Sequence, residues 1–317
     1  MAYEFKLMVK VVSLYYKEGL TQEDISKKIK ISKFQVNRIL KRSVEIGLVQ
    51  ITINDSTASI TELEEKLEKA FNLKRAIVVD NSGLSDKEMK SKIGQAASEY
   101  LVEIIKNNDV IGVSWGTTVE EVISHLPNKL NKRVEIIQVT GGMHQLSVNL
   151  NCQDIARRLA SVFGVEPRLI YAPALVESTK LRDMLLNEPS IKSTFDFFSK
   201  IDIALVGIGE ISPKVTSTLI ETVLFDEKDL EKLKSCKAIG DVSSHFFNID
   251  GRICETDLEK RMIAISTEDL LRIPYSIGIA GGAAKAESIL GSIRGKYINI
   301  LVTDSKAATK ILKLAKC

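Results

Sequence analysis

The stretch Asp109-Val110-Ile111-Gly112-Val113-Ser114-Trp115-Gly116-Thr117-Thr118 decides the fold of most of this chain. A short β-branched run passes through small residues directly into a helix start, which is the strand-to-helix turn of an α/β domain. Outward from it, candidate strands lie at 76–79, 110–114, 134–139, 168–171, 202–207, 237–240, 262–265, 276–280 and 298–302. Helical patterns fall between many of them, at 86–107, 117–126, 153–163, 178–199, 283–293 and 305–315. Such alternation predicts a doubly wound, mainly parallel sheet covered by helices. Ligands of these folds sit outside the carboxyl ends of the strands, so the loops at those ends are where function is expected.

In the opening stretch, Ser114 and Gly116 let the backbone curl. The amides at the helix start then form an anion cradle, to which Thr117 and Thr118 add hydroxyls. Neither G-x-G-x-x-G nor a Walker-type G-K-[ST] is present there, which points away from dinucleotides and nucleoside triphosphates and toward a phosphate monoester. A tight turn with no ligand accounts for the same residues. A second loop runs Gly281-Gly282-Ala283-Ala284-Lys285. A lysine in the first turn of a helix opposes the dipole, a conflict that a bound anion relieves; the alternative is a lysine extended into water. Other strand ends supply Thr140-Gly141-Gly142, Gly207-Ile208-Gly209 and Gly240-Asp241-Val242. Asp241 is suited to accept hydrogen bonds from sugar hydroxyls or to cap the next segment. Asn151 and Gln153 are specificity groups or caps. Thr140 offers no amine for a Schiff base, which leaves Lys285 as the one nominated pocket lysine. The candidate effector set is therefore Ser114, Gly116, Thr117, Thr118, Thr140, Gly141, Asn151, Asp241 and Lys285.

The first fifty residues follow a different pattern. Leu7, Val11, Val12, Leu14 and Tyr15 mark a helix that stops at Gly19. Thr21 caps a short second helix with Glu23 and Asp24 in its first turn and Ile25 and Ile29 facing inward. Ser32 through Gln35 reads as a capping box for a third helix, with Val36, Ile39, Leu40 and Ile46 on its buried side. Gly47 ends it, and Leu48–Ile53 reads as a strand. Three helices with a tight turn before the third form a helix-turn-helix, whose third helix enters the major groove. Ser32, Lys33, Phe34, Gln35, Asn37, Arg38, Lys41 and Arg42 are the DNA-facing candidates. Gln35 and Asn37 suit adenine, Arg38 guanine or a phosphate, and Phe34 a thymine methyl; Lys27, Lys28, Lys41 and Arg42 suit phosphates. A solvated bundle with a basic face is the plainer alternative.

Charge agrees with this division. Residues 1–54 hold ten Lys and Arg against five Asp and Glu, a balance of +5, whereas the remainder balances at −2 within a total of +3. A small basic domain on a nearly neutral one suggests a polyanion partner. At 317 residues the chain suits two domains: 1–54 as helix-turn-helix, 55–60 as linker, and 61–317 for effector binding and oligomerisation. The four cysteines show no C-x-x-C spacing and the three histidines lie far apart, which favours reduced thiols over a disulfide framework and shows no metal site. No apolar run is long enough to span a membrane and no leader is evident, so a cytoplasmic location is expected.

All these stretches in this order resemble the SorC-type sugar-binding transcriptional regulators along nearly the whole length. The marks are Thr21–Ser26 with Ser32–Leu40, Gly47–Ile51, Gly112–Thr117, Gly141-Gly142, Gly207-Ile208-Gly209, Gly240–Val242 with Phe246–Gly251, Gly281–Lys285, Gly291–Gly295 and Asn299–Asp304. The resemblance implies an N-terminal winged helix-turn-helix and an effector domain akin to phosphosugar isomerases. It implies a sugar-phosphate effector, no other cofactor, its phosphate near Gly116, Thr117, Thr118 and Lys285, and Asp241 facing the sugar. It also implies a homodimer or homotetramer on double-stranded operator DNA, more often a repressor than an activator of a carbohydrate or nucleoside catabolic operon. Phe34 departs from the small polar residue common at that place, so the operator sequence does not carry over. The competing expectation is a sugar-phosphate isomerase or deaminase, for which Asp241, His144 and His245 are the candidate bases; a structural assembly protein with a basic arm is a third.

Overall fold

A computed structural model describes residues 2–49, 56–143, 151–211 and 227–316. The chain divides into two compact units, Met1–Ala58 and Ser59–Cys317.

In the first unit, α1 (Ala2–Val12) runs into a π-helical turn, Ser13–Lys17, and the chain leaves it through Gly19 at φ 67°. Helix α2 (Gln22–Ile29) starts where the Thr21 hydroxyl accepts the Asp24 amide at 3.2 Å. It stops at Lys30, which adopts a left-handed φ of 57° while the Ser26 hydroxyl donates to the Ile31 carbonyl at 2.6 Å. Ser32 and Gln35 then form the expected reciprocal box at the start of α3 (Lys33–Glu45). Val11, Leu14, Ile25, Val36 and Leu40 close a small core. Ile46 was expected to be buried but is 45% exposed, because it sits at the helix C-cap, beyond the last packed turn. Leu48 and Val49 form a bend; the rest of the expected strand falls at 50–53, outside the described residues.

Helix α4 (Ser56–Phe71) starts at the end of the first unit and continues into the second, so most of the expected 55–60 linker is helix. Six parallel strands follow the order β1-β8-β7-β4-β2-β3. They are β1 (Arg75–Val79), β2 (Val110–Val113), β3 (Glu135–Gln138), β4 (Ile203–Glu210), β7 (Tyr275–Ile279) and β8 (Ile300–Asp304). Most of their residues are buried, as in parallel sheets covered on both faces. One core layer gathers side chains from α5 (Asp86–Ile104), α6 (Thr117–His125) and α7 (Cys152–Phe163). The other gathers them from α4, α12 (Ala286–Arg294) and α13 (Ser305–Ala315). Strand β4 belongs to two ladders. Residues 203–207 pair with β7, while 208–210 pair antiparallel with β5 (Gly240–Val242), which turns into β6 (His245–Phe247).

Several expected elements differ. Segments 168–171 and 262–265 make only isolated bridges, Arg168 to Ile137, Ala264 to Thr140 and Met262 to Leu175. The strand expected at 237–240 begins at Gly240, and its partner β6 was not foreseen. The long helix at 178–199 is broken by Pro189 into α8 (Thr179–Leu186), α9 (Pro189–Phe195) and a 3-10 turn, because proline lacks the amide that helix continuity requires. Further along lie α10 (Glu227–Ser235) and α11 (Thr267–Arg272).

The cysteines also correct the sequence reading. Cys236, just past α10, is disulfide-bonded to Cys254 in the loop after β6, with Cα atoms 5.8 Å apart. The unforeseen hairpin brings them together: the Cys254 amide donates to Phe246 of β6, which lies beside β5. Closing a loop of this length contributes about 3 kcal/mol on the chain-entropy account. We expect purified protein denatured without reductant to take up iodoacetamide at two cysteines, and at four after reduction. Four alkylations without reductant would show the pair to be thiols.

Candidate functional site

Three of the loops singled out in the sequence converge on residues 207–209 of β4. Strand β2 ends beside β4, where the Ser114 amide donates to the Leu205 carbonyl. The chain then crosses so close to Gly207 that a Cβ there would lie 3.1 Å from the Trp115 carbonyl oxygen. Gly116 starts α6 at φ 133°, a conformation nearly reserved for glycine, with open space above it and no side chain capping the helix. From the other direction, the loop after β7 forms a 3-10 turn, Ala283–Lys285, and Lys285 becomes the N-cap of α12. Its side chain does not extend into water: Nζ donates to the Ile208 carbonyl at 2.7 Å. The third loop is the β4–β5 pairing, in which Asp241 lies opposite Gly209. A Cβ on Gly209 would sit 1.9 Å from Asp241 Oδ1, so only glycine leaves the carboxylate its place.

Asp241 and Lys285 feel each other's charge, yet their charged atoms do not approach within the 4.0 Å of an ion pair. Burial pushes the Asp241 carboxyl up to about 6, against the opposing pull of Lys285, the Ser244 amide and His245. Burial likewise lowers the Lys285 ammonium, with Asp241 pulling the other way. A buried carboxylate and a half-buried ammonium that do not neutralise each other suit a ligand carrying both an anion and hydroxyl groups.

The remaining candidates separate. Thr118 is buried in the first turn of α6, beside the half-buried Thr117. Thr140 lies past the end of β3, fully buried, with its hydroxyl unpartnered. Gly141 is a packing glycine: its amide donates to Ile263, and a Cβ would collide with the Pro173 carbonyl at 2.6 Å. Asn151 is the N-cap of α7, its side-chain oxygen taken by the Gln153 amide, and Gln153 reaches the Ile170 carbonyl. The amide of Gly282 is held by Asp304, a buried carboxylate that also accepts from Asn81 and caps α13. That turn therefore presents Lys285 but offers no free Gly282 amide. Sequence reasoning passed over Asp304 and the Ser243-Ser244 turn of the hairpin. A two-residue gap before His245-Phe246-Phe247 was the available signal for the turn, although it lacks the usual Asn-Gly pair.

Among the bases of the enzyme reading, His144 lies outside the described residues. His245 has both ring nitrogens engaged, with Nδ1 against Glu259 and Nε2 against the Ile265 carbonyl. Burial lowers its proton affinity, but Glu259, the Ile265 carbonyl and Asp241 together raise it overall, and with both nitrogens engaged a neutral acceptor nitrogen is not on offer.

In the first unit, Phe34, Asn37, Arg38 and Lys41 stand exposed on α3, Phe34 at 76%. Lys33 is exposed at the helix start beside its cap, Ser32. Gln35 Oε1 accepts the Ser32 amide at 2.9 Å, which leaves only its amide nitrogen for other work. Arg42 is paired with Glu45 at 2.9 Å, and Lys27 and Lys28 pair with Glu23 and Glu18. Such exposed pairs are weak enough to exchange partners.

A small helical unit joined to an α/β unit is also the make-up of known transcription regulators, and comparison with known proteins places the chain among them. Residues 55–313 match the family model described as "Putative sugar-binding domain". The sorbitol operon regulator of Klebsiella pneumoniae is 31% identical over 312 residues, 98% of each chain. The deoxyribonucleoside regulator of Bacillus subtilis is 29% identical over 97% of each. The crystal structure of full-length SorC from Klebsiella pneumoniae superposes with a TM-score of 0.77 at 30% identity, covering 97% of this chain and 98% of that one. The chain belongs to the SorC family of sugar-binding transcriptional regulators; it is a regulator and not an enzyme. No helix among the described residues is long and apolar enough to cross a membrane.

The buried carboxyl gives a signed expectation. The folded-state proton affinity of Asp241 is raised from 3.8 to about 6, so the associated stability is complete below pH 4 and is lost as pH rises through 6. Asp241→Asn should then stabilise the ligand-free protein at pH 7.5 by at most about 3 kcal/mol, with the gain vanishing near pH 4. Melting curves across that range check it; an equal gain at both pH values would contradict the assignment. Gly209→Ala, by displacing the carboxylate, should abolish the pH dependence.

Proposed function

We propose that this regulator binds operator DNA through α3 and is controlled by a phosphorylated sugar held at the tip of β4. The observation that carries the effector reading is the meeting of Lys285, Asp241 and the β2–α6 turn around residues 207–209 of β4. The phosphate lies between Lys285 and the uncapped start of α6, taking amides of that first turn and the hydroxyls of Thr117 and Thr118. Asp241 accepts hydrogen bonds from the sugar, with Ser114 and Thr140 lining the same strand ends. Gly141 and Asn151 support the site by shaping the backbone rather than by touching the ligand. The shape of such a site, at the strand ends of a parallel sheet, is that of the phosphosugar isomerases.

On the DNA side, Lys33, Phe34, Asn37 and Arg38 occupy the exposed first turns of α3 and meet base edges, Gln35 offering its amide nitrogen. Lys41 and Arg42 lie further along and meet phosphates. The active species is a cytoplasmic homodimer or homotetramer whose two-fold axis matches a palindromic operator. It represses an operon for sugar or nucleoside use, a reading supported as far as regulation goes by relatives named for a sorbitol operon and for deoxyribonucleosides. The effector acts by favouring one quaternary arrangement, which demands different affinity for the two.

Two measurements test this. A thermal-shift screen of sugar phosphates should find a ligand that adds roughly 2.7 kcal/mol at a hundredfold excess over its dissociation constant. Lys285→Ala should lose that shift, and an unchanged shift would remove Lys285 from the site. Operator affinity should fall steeply between 50 and 200 mM salt, by on the order of a thousandfold when several phosphates are contacted. Arg38→Ala should abolish operator binding with the oligomer intact; an undiminished footprint would sink the α3 assignment.

A further inference from the structure

Six side-chain oxygens among the described residues are buried without a hydrogen-bond partner, and four of them sit on segments that both bond to residues 264–265. Three belong to the β5–β6 hairpin: Asp241 Oδ1, Ser243 Oγ and Ser244 Oγ. The fourth is Thr140 Oγ1, beyond the end of β3. An unsatisfied buried hydroxyl costs roughly 1–3 kcal/mol, and native interiors carry few of them. The backbone of the same turn is also under load. Ser243 and Ser244 are its two central residues, at φ 49° and 73°, left-handed conformations that Asn and Gly usually supply. Strain and unpaired polar atoms at one turn mark a place shaped for something other than stability.

Its position is fixed by register. Strand β5 runs antiparallel to the top of β4, with Val242 opposite Ile208. The turn that follows Val242 therefore returns toward the carboxyl ends of the parallel strands, level with Gly207. His245 fastens it there through Glu259 and the Ile265 carbonyl. Ile265 in turn donates to Val139, and Ala264 bridges Thr140, so the turn and the β3 end share one support.

We propose that the Ser243-Ser244 turn, with Thr140, is the part of the effector site that reads hydroxyl groups on the carbon chain of the sugar. The inference rests on the sugar-phosphate reading above, in which Lys285 holds the phosphate and Asp241 the sugar. Each serine hydroxyl donates one hydrogen bond and accepts others, the complement of a secondary alcohol on the ligand. A site built to pair with a hydroxyl rejects the analogue that lacks it, because its own buried groups are then left unpaired. Ser243 and Ser244 thus separate polyhydroxylated sugar phosphates from their deoxy counterparts.

Calorimetric titration of the full chain with two matched pairs tests this: ribose 5-phosphate against 2-deoxyribose 5-phosphate, and glucose 6-phosphate against 2-deoxyglucose 6-phosphate. Wild type should bind the hydroxylated member of at least one pair roughly ten- to a hundredfold more tightly. Ser243→Ala and Ser244→Ala should bring that ratio toward one, chiefly by weakening the hydroxylated ligand. Ser244→Gly removes the hydroxyl while relieving the left-handed backbone, so it serves if the alanine variant folds poorly, and it should narrow the ratio equally. An unchanged ratio in the folded variants overturns the inference, and so does a wild type that prefers the deoxy member. If Lys285→Ala still loses binding in those cases, the sugar-phosphate reading survives alone. If wild type binds none of the four, both fall.

Discussion

The carboxyl edge of the sheet is governed by how closely other groups approach residues 207–209 of β4. Below that level β4 is one of six parallel strands, and above it the strand supports an antiparallel hairpin. Two glycines make the change possible. Gly207 admits the Trp115 carbonyl of the crossing loop, and Gly209 admits the Asp241 carboxylate. Between them the Ile208 carbonyl receives the Lys285 ammonium. A side chain at either glycine would push one of these groups away, so the spacing of Lys285 from Asp241 depends on the absence of two Cβ atoms.

The surrounding structure meets the cost of this arrangement. Asp241 is buried without an ion pair, Ser243 and Ser244 are held in left-handed conformations, and several hydroxyls lack partners. Each is unfavourable by up to a few kcal/mol. Against them stand two core layers that cover both faces of the sheet, the His245–Glu259 clamp and a disulfide closing the segment that carries the hairpin. The Asp304 network gives the opposite case. It is equally buried and almost fully satisfied, and it holds the turn that presents Lys285. Rigid support lies beneath the site, and the unsatisfied groups lie in it.

Much of this was legible in the residues. Periodicity located the parallel strands and most helices, because strands buried on both faces carry continuous apolar runs and their helices alternate with them. Capping residues located the helix-turn-helix, since Thr21, Ser32 and Gln35 act locally. Lys285 stood out because it broke a local rule, and Asp241 because it follows a glycine at a strand end. Features set by distant contacts were not readable. Gly141 looked like a ligand group, but its partner, Ile263, is visible only once the chain has folded, whereas the cap that Asn151 makes was one of its two sequence readings. The Cys236–Cys254 pairing and strand β6 depend on a three-residue hairpin whose Ser-Ser turn lacks the usual sequence signal. Segments 168–171 and 262–265 have strand composition but find a neighbour for only one or two residues.

Hydrogen–deuterium exchange with and without a thermally stabilising sugar phosphate tests the convergence on β4 most directly. Peptides covering 112–120, 239–247 and 281–288 should gain protection together, because one ligand spans all three loops, while α8 and α9 at 179–195 stay unchanged. Protection confined to one of the three loops, or appearing instead at 179–195, would contradict a site at the tip of β4.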